Sequence, residues 1–301
     1  MKNKIVITGS SGFVGRNIKC YLKDSYEIIP MSARFFPDQK FHINGDAVIH
    51  LSGKAHDLKK VSNSSEYFEA NFELTKQLFD SFLESEASVF IFMSSVKAAA
   101  DEVLEVLSEN VIANPKTPYG QSKLLAEEYI LSKKNPNNKR VFIIRPCMIH
   151  GPGNKGNLNL LYNVVQKGIP YPLAAFYNER SFLGIDNLNF LIKEILQNKE
   201  IPSGVYNFAD DEVLSTNELV KIIADVSNKK NLSVAVPKTI INNIAKLGDL
   251  VKFPLNSETV KKLTENYKVS NYKIKQAIGI DKMPLTARQG LEKTIKSFIK
   301  K

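Results

Sequence analysis

The sequence has few residues of the types that bind structural metals or form disulfide frameworks. Its 301 residues include two cysteines, Cys20 and Cys147, and four histidines. Two cysteines in a chain of this length do not form a disulfide framework, and neither has the spacing of a metal ligand. His50, His56 and His150 are not spaced as a metal site either, so we interpret His50 and His150 as packing or loop residues. The composition fits a reducing compartment and predicts no metal site.

Long apolar runs and dense runs of charge are also missing. The first four residues lead into an apolar stretch that is far too short for a signal sequence or a membrane span. The formal net charge is +10, but the densest basic clusters are only pairs, such as Lys133-Lys134. We therefore expect a cytoplasmic protein without membrane insertion and without nucleic acid as a partner. The charge indicates either a solvated, lysine-rich surface or a substrate that carries phosphates.

No internal repeat, low-complexity segment or linker interrupts an alternation of strand and helix patterns. In the first half, strands are predicted at 4–8, 26–31, 46–51, 88–93 and 140–144, and helices at 12–22, 66–83 and 118–131. Strands that are apolar on both faces are typical of a buried parallel sheet. We predict an α/β fold, a Rossmann-like doubly wound parallel sheet over residues 1–155. Residues 156–301 are expected to form mainly a smaller substrate-binding lobe, with later segments returning to the sheet.

In that second half the pattern is looser. It predicts helices at 157–167, 187–197, 215–226, 242–250 and 286–300, and a strand at 204–208.

A glycine-rich turn connects the first predicted strand to the first predicted helix. Glycine permits a tight turn and a close approach of the backbone to a pyrophosphate, and the helix N-terminus adds free N–H groups. The alternative is an ordinary strand–turn–helix connection. Because the strand and the helix stand where the motif requires them, we predict a dinucleotide site. Its residues are Gly9, Ser11, Gly12, Phe13, Val14 and Gly15.

The end of the second strand bears on the choice of dinucleotide. An acidic residue there would bind the ribose 2′-hydroxyl of NAD, but the sequence reads Met31-Ser32-Ala33-Arg34. Ser32 and Arg34 are predicted to hold a 2′-phosphate, so NADP(H) is favoured and NAD(H) stays possible. Two alternatives remain open: Arg34 is a solvated loop residue, or Asp38 binds the ribose.

A Tyr-x-x-x-Lys pattern lies near the start of the predicted helix 118–131. The spacing puts Tyr119 and Lys123 on one helix face. A lysine ammonium beside a phenol is predicted to lower the tyrosine pKa, so that Tyr119 exchanges a proton with a substrate oxygen. The predicted strand 88–93 ends at Ser94-Ser95, and Ser95 is expected to bind the reacting oxygen, with Ser94 as the alternative.

Taken together, these motifs resemble the extended short-chain dehydrogenase/reductases, the NAD-dependent epimerase/dehydratase group that acts on nucleotide sugars. The resemblance runs from Lys4 to nearly the C-terminus. Besides the glycine turn and the Tyr119 to Lys123 motif, it rests on His50-Leu51-Ser52-Gly53, Asn71 with Thr75, Ser94-Ser95, Arg145-Pro146, Gly151-Pro152-Gly153 and Arg180-Ser181-Phe182. Three further segments, Ser95-Val96-Lys97, His56-Asp57 and Lys155-Gly156-Asn157-Leu158, look most similar to reductases of UDP-linked 4-keto-6-deoxy-N-acetylhexosamines. UDP-glucose/galactose 4-epimerases are the next most similar branch.

The resemblance implies roles for residues that the patterns alone do not assign. It implies that Leu51, Ser52, Gly53, Asn71 and Lys123 contact the cofactor, and that Ser95, Lys97, Asn157 and Arg180 contact the sugar nucleotide. For three of these an alternative stays open. In these alternatives Asn157 is a helix cap, Arg180 is a structural ion-pair partner, and Lys97 is a solvated lysine. Departures such as Ala98-Ala99-Ala100 after the serine segment leave the exact sugar open.

Three functions follow as hypotheses. The first is NADP-dependent reduction of a UDP-linked 4-keto sugar in surface polysaccharide biosynthesis, by a protein that is either monomeric or a homodimer. The second is a 4-epimerase that keeps NAD bound and returns the hydride to the other face of the sugar. The third is a catalytically idle dinucleotide sensor or scaffold, which the intact set of Tyr119, Lys123 and Ser95 disfavours.

Overall fold

The computed structural model describes residues 2–54, 63–134, 136, 138–154, 156–251 and 256–299. The His56-Asp57 segment and Lys155, which contribute to the resemblance, lie outside the described residues.

The strands are β1 (Lys4–Thr8), β2 (Glu27–Met31), β3 (Ala47–His50), β4 (Val89–Met93), β5 (Val106–Leu107), β6 (Arg140–Pro146), β7 (Met148–His150), β8 (Arg180–Gly184), β9 (Gly204–Phe208), β10 (Val213–Leu214) and β11 (Lys268–Val269). The helices are α1 (Phe13–Leu22), α2 (Ser64–Phe68), α3 (Leu74–Glu84), α4 (Pro118–Ser132), α5 (Asn157–Gln166), α6 (Ile185–Gln197), α7 (Thr216–Val226), α8 (Lys238–Val251), α9 (Ser257–Thr264), α10 (Tyr272–Ile278) and α11 (Ala287–Ile299).

A parallel sheet of six strands, in the order β2-β1-β3-β4-β6-β9, forms the centre of the molecule. Strand residues alternate between its two faces. In β1, Ile5 and Ile7 pack in one apolar cluster with α1 and α6, whereas Val6 packs in another with α3 and α4. Helices therefore cover both faces, and the predicted α/β fold with a Rossmann-like parallel sheet is confirmed.

A third apolar cluster lies in the C-terminal half. It joins buried residues of α5, α7, α8, α9 and α11 with Phe182 of β8 and Leu214 of β10. A small sheet, in the order β10-β8-β7, supports it. The chain does not stay in this lobe, because β9 pairs with β6 at the edge of the main sheet and α6 packs on the sheet beside α1. The boundary near residue 155 stays a prediction.

One further pairing connects the two halves. The short strands β5 and β11 lie side by side in parallel, and this brings Tyr267, just before β11, against the segment that follows β4. Across the described residues, no helix has the length and apolar character needed to cross a membrane.

Candidate active site

The glycine turn after β1 is built without room for side chains. Gly9 has φ +66°, and a Cβ there would lie 2.9 Å from the backbone of Leu51 and Ser52 after β3. A Cβ on Gly15 would lie 2.3 Å from the carbonyl oxygen of Gly9. Gly12 precedes α1, and no side chain caps the first turn of that helix. The N–H groups of the first turn, at Phe13 and Val14, are therefore available for the phosphates of a dinucleotide.

Ser32 and Arg34 follow β2 at the edge of the main sheet, and both are exposed. No acidic side chain stands between Met31 and Pro37. Within the described residues Arg34 has no hydrogen bond or ion pair, so its guanidinium is free to bind a ligand.

Local packing fixes the start of α4, where Tyr119 lies. Thr117 caps the helix by accepting a hydrogen bond from the N–H of Gly120 across 3.2 Å, and Pro118 occupies the first turn. A Cβ on Gly120 would lie 2.4 Å from the carbonyl oxygen of Lys97. The helix thus packs closely against the 3₁₀ turn Val96–Ala98, and Tyr119 comes next to Ser95.

The hydroxyl groups of Tyr119 and Ser95 are hydrogen-bonded to each other. Tyr119 is half-buried and its ring packs edge-on against Tyr67, with the centroids 6.1 Å apart. Burial raises the pKa of Tyr119, and the hydrogen bond to Ser95 opposes this shift without overcoming it. The expected lowering of this pKa by Lys123 is therefore wrong for this structure, because desolvation of the phenolate raises the pKa and the group that opposes the rise is Ser95.

Lys123 lies one turn further along α4 and is 6% exposed. Its ammonium donates a hydrogen bond to the carbonyl oxygen of Met93 across 2.9 Å. A Cβ on Gly53 would lie 3.3 Å from Lys123 Nζ and 2.5 Å from Asn71 Oδ1, so the ammonium faces the loop after β3. Burial lowers the pKa of Lys123 to about 8, although the nearby carboxylate of Glu127 acts in the opposite direction.

A buried ion pair holds the end of β4, α4 and β6 together. Arg145 Nε lies 3.0 Å from both carboxylate oxygens of Glu127, and Arg145 Nη2 also contacts this carboxylate. The side chains are 7% and 1% exposed. The hydroxyl of Ser94 donates to the same carboxylate. Ser94 is therefore engaged by this carboxylate, and Ser95 is the serine that meets the phenol.

A second buried network connects the ends of β1 and β3 to α3. Thr8 Oγ1 accepts hydrogen bonds from the N–H groups of Leu51 and Ser52, each 3.1 Å away, so its own proton is donated to His50 Nδ1 at 2.8 Å. His50 Nε2 then donates to Thr75 Oγ1 at 3.0 Å. Burial and the charge of Lys123 lower the pKa of His50 to about 3, so the ring is neutral. His50 is thus a buried strand residue, which places it in the core rather than in a loop.

Asn71 completes this network from a π-helical turn, Glu69–Glu73, between α2 and α3. Its Oδ1 accepts from the N–H of Lys54 at 2.8 Å, and its Nδ2 donates to the carbonyl of Lys54 and to Ser122 Oγ. The amide therefore fixes the loop of Ser52 and Gly53 against α4. Direct contact of Asn71 with a cofactor stays a prediction, as it does for Leu51, Ser52 and Gly53.

The predicted substrate residues Asn157 and Arg180 line one small cavity of about 40 Å³ in the C-terminal lobe. The N-cap of α5 is Gly156, so Asn157 is its first helical residue and not a cap. Arg180 donates to the carbonyl of Lys262 and lies 3.8 Å from Glu265 Oε1. The guanidinium is thus already held by the protein at the wall of the cavity.

Lys97, the third predicted substrate residue, is not among the residues that line this cavity. Its ammonium donates to the carbonyl of Asp101 at 2.7 Å and lies 4.2 Å from the centre of the Tyr267 ring. It interacts electrostatically with Glu265 and Arg180, and burial lowers its pKa. Lys97 is therefore partly buried rather than solvated, and it lies between Ser95 and the C-terminal lobe.

Sequence reasoning did not find the supporting network. Glu127 stands four residues after Lys123, the spacing that places both on one helix face, and this was the available signal. The roles of His50 and Ser94 depend on contacts between distant segments. In the described part of the chain, no three His, Cys, Asp or Glu side chains cluster where a metal ion could bind.

Comparison with known proteins agrees with this geometry. The chain matches the NAD dependent epimerase/dehydratase family over residues 5–209, which is more than half of its length. The protein belongs to that family. It is a nicotinamide-dinucleotide-dependent enzyme of the nucleotide-sugar epimerase, reductase and dehydratase group.

Two relatives and one solved structure illustrate the range of this family. UDP-glucose 4-epimerase from Vibrio cholerae is 29% identical, with 99% of this chain and 96% of the relative covered. GDP-6-deoxy-D-mannose reductase from Pseudomonas aeruginosa is 25% identical over 75% of this chain and 81% of its own. The structure of RMD from Pseudomonas aeruginosa complexed with NADPH has a TM-score of 0.75 at 21% identity and covers 100% of both chains. This last likeness shows the shared fold.

Proposed function

We propose that the family member described here is an NADP-dependent reductase of a UDP-linked 4-keto sugar. The observation that carries the proposal is the end of β2, where exposed Ser32 and Arg34 stand and no acid lies between Met31 and Pro37. A guanidinium there suits a 2′-phosphate, whereas an acid would be needed for the NAD ribose. A net reductase consumes its cofactor, and the NADPH pool serves reduction.

The dinucleotide would be held by the turn from Gly9 to Gly15, the first-turn N–H groups of α1 and the loop of Ser52 and Gly53. When bound there, it supplies the hydride. The close packing of this turn, which leaves no space for a Cβ on Gly9 or Gly15, supports the assignment.

Tyr119 and Ser95 would act on the oxygen at the reacting carbon. A raised pKa keeps the Tyr119 phenol protonated at neutral pH, and this is the form that donates a proton to a carbonyl being reduced. Ser95, bonded to the same phenol, would bind that oxygen and orient it. The ammonium of Lys123 would stabilise the phenolate that Tyr119 leaves after donating its proton, and it would hold the nicotinamide ribose.

The sugar nucleotide would lie between this centre and the C-terminal lobe. Lys97, Asn157 and Arg180 are the proposed contacts, and the positive charges of Lys97 and Arg180 suit a diphosphate. Residues 156–301 would thus act mainly as the substrate lobe. A non-catalytic dinucleotide sensor or scaffold would not require Tyr119, Ser95 and Lys123 together, so the presence of all three favours an enzyme.

A 4-epimerase is the second candidate. It is supported by the relative from Vibrio cholerae, which is an epimerase and matches nearly the full length of both chains. An epimerase would retain NAD and need no external reductant.

The experiment separates the two reactions. The purified protein is analysed for bound nucleotide and then incubated with UDP-4-keto sugars and either NADPH or NADH, with absorbance loss as the readout. Tyr119→Phe serves as the inactive control. NADPH oxidation that depends on the keto sugar supports the reductase. Tightly bound NAD, together with interconversion of UDP-sugars without added reductant, would contradict the reductase proposal and support the 4-epimerase.

Arg180 gives an independent test of the substrate site. UDP is titrated calorimetrically into wild type, Arg180→Lys and Lys268→Ala, the last being a control cation that pairs with Glu179. We expect weaker UDP binding only for Arg180→Lys, because a lysine cannot make the two parallel hydrogen bonds of a guanidinium. Equal UDP binding by all three proteins would make Arg180 a structural residue.

A further inference from the structure

Helix α8 exposes a stripe of large apolar side chains. Ile240, Ile244, Leu247 and Leu250 are 48%, 41%, 64% and 80% exposed. The first three recur at helical spacing on one side of the helix, and Leu250 lies one turn beyond Leu247. The stripe is therefore continuous along the helix rather than a set of isolated surface residues.

The stripe is separate from the face with which α8 packs on the protein. Ile241 and Ala245 are 1% and 2% exposed and belong to the C-terminal apolar cluster. The apolar arc of α8 is thus wider than its packing requires. A continuous exposed apolar surface of this kind usually marks an interaction site.

The charges around the stripe have one dominant sign. Lys229, Lys230, Lys238 and Lys246 are all exposed, on α8 and on the segment that leads to it. Within residues 229–250 the only acidic residue is Asp249, and its carboxylate accepts hydrogen bonds from the N–H and the hydroxyl of Ser257 at 2.9 and 2.6 Å. The ammonium of Lys238 lies 5.5 Å from the centre of the Phe176 ring, and Lys246 adjoins Leu247 in the helix. Helix α8 and the segment before it therefore carry exposed lysines as well as exposed leucine and isoleucine.

Two more apolar side chains lie on the strand-like segment just before α8. Leu232 and Val234 are 39% and 48% exposed. This segment is anchored to the lobe by backbone hydrogen bonds with Tyr171. These two side chains add exposed apolar surface on a segment that the lobe holds in place.

We propose that α8 docks this protein on an anionic lipid bilayer surface. The stripe would enter the boundary between headgroups and acyl chains, and the four lysines would meet the lipid phosphates, as in interfacial amphipathic helices. The complementarity of charge selects this partner, since an uncharged protein surface would cover the leucines but leave the lysines without counter-charges. The helix lies along the surface and does not span it.

The test is co-sedimentation of the full-length protein with vesicles of phosphatidylglycerol and phosphatidylcholine, compared with vesicles of phosphatidylcholine alone. We expect binding to the anionic vesicles that weakens as salt is added. Leu247→Glu should reduce the partition coefficient by about tenfold or more, because it replaces an inserted apolar group with a negative charge. Leu131→Glu, which makes the same change at an exposed leucine of α4, should bind like wild type.

A second variant tests the charges, and ultracentrifugation tests the competing partner. Replacing Lys229, Lys230, Lys238 and Lys246 with glutamine should remove the preference for anionic lipid, and circular dichroism checks that each variant is folded. Absence of binding by wild type overturns the proposal. A wild-type dimer that becomes a monomer in Leu247→Glu also overturns it, because the stripe is then covered by a second copy of the chain.

Discussion

The ammonium of Lys123 donates a hydrogen bond to the carbonyl of Met93 and so ties α4 to the last residue of β4. This contact fixes the helix that carries Tyr119 to the strand that leads to Ser95. It also leaves a charged group almost fully buried, and that burial lowers the pKa of Lys123 to about 8. The burial of this charge therefore costs folding stability.

The first prediction concerns that burial. Unfolded Lys123 stays protonated up to its ordinary pKa near 10.5, so between pH 8 and 10.5 the unfolded state binds more protons and stability rises with pH. Below pH 8 the full penalty applies. Lys123→Met should therefore raise the unfolding free energy at pH 7 by up to roughly 3 kcal/mol, reduced by the lost bond to Met93. Denaturant unfolding of the cofactor-free proteins measures the difference in unfolding free energy between the variant and wild type, and this difference should shrink above pH 8. A less stable variant at pH 7 would contradict the prediction.

The second prediction concerns the phenol. Tyr119→Phe should lower kcat by roughly 10²–10⁴-fold, since it removes the proton-transfer group and little else. Dinucleotide binding, followed by fluorescence titration, should be nearly unchanged. Tyr129→Phe is the matched control on the same helix, where the hydroxyl bonds to Asp80 at 2.7 Å. If Tyr119→Phe keeps more than about a tenth of the wild-type rate, Tyr119 is not the acid.

The third prediction concerns the buried ion pair. Glu127→Ala leaves the guanidinium of Arg145 buried without a counter-charge, which should destabilise the fold by about 3–5 kcal/mol. The neighbouring Glu128→Ala, at an exposed position on α4, should change stability by less than about 0.5 kcal/mol. Denaturant unfolding of the two variants gives the comparison, and similar values for both would show that the pair contributes nothing.

The fourth prediction concerns cofactor choice. Arg34→Ala should weaken NADPH binding by about tenfold or more, since a charge-assisted hydrogen bond to the 2′-phosphate contributes roughly 1.5–3 kcal/mol. NADH binding should hardly change. Lys40→Ala, which removes an exposed cation paired with Glu84, controls for a general loss of positive charge. Equal losses of affinity for NADPH and NADH would show that Arg34 does not recognise the 2′-phosphate.

Long elements with strong periodicity could be predicted from the sequence. The predicted helix 118–131 is α4, Pro118–Ser132, with Thr117 as its cap, and the predicted strand 204–208 is β9. The strands β5, β7, β10 and β11 were not predicted, because two or three residues carry no usable periodicity. Strand β8 was missed although it has five residues, because it is a strand only through its pairing with β7 and β10, which come from other parts of the chain. Helices α9 and α10 were missed for a similar reason, since each has at most eight residues.

The sequence by itself determined the six strands of the main sheet, the glycine turn, and the spacing of Tyr119 and Lys123, because these depend on neighbours a few residues away. Strand alternation favoured Ser95 over Ser94, and the tertiary structure decided what each serine contacts: Ser95 bonds to Tyr119, whereas the hydroxyl of Ser94 donates to Glu127. It also decided the direction of the Tyr119 pKa. Local spacing predicted the effect of a nearby ammonium, but the larger effect is desolvation, and burial is set by the packing of the whole chain.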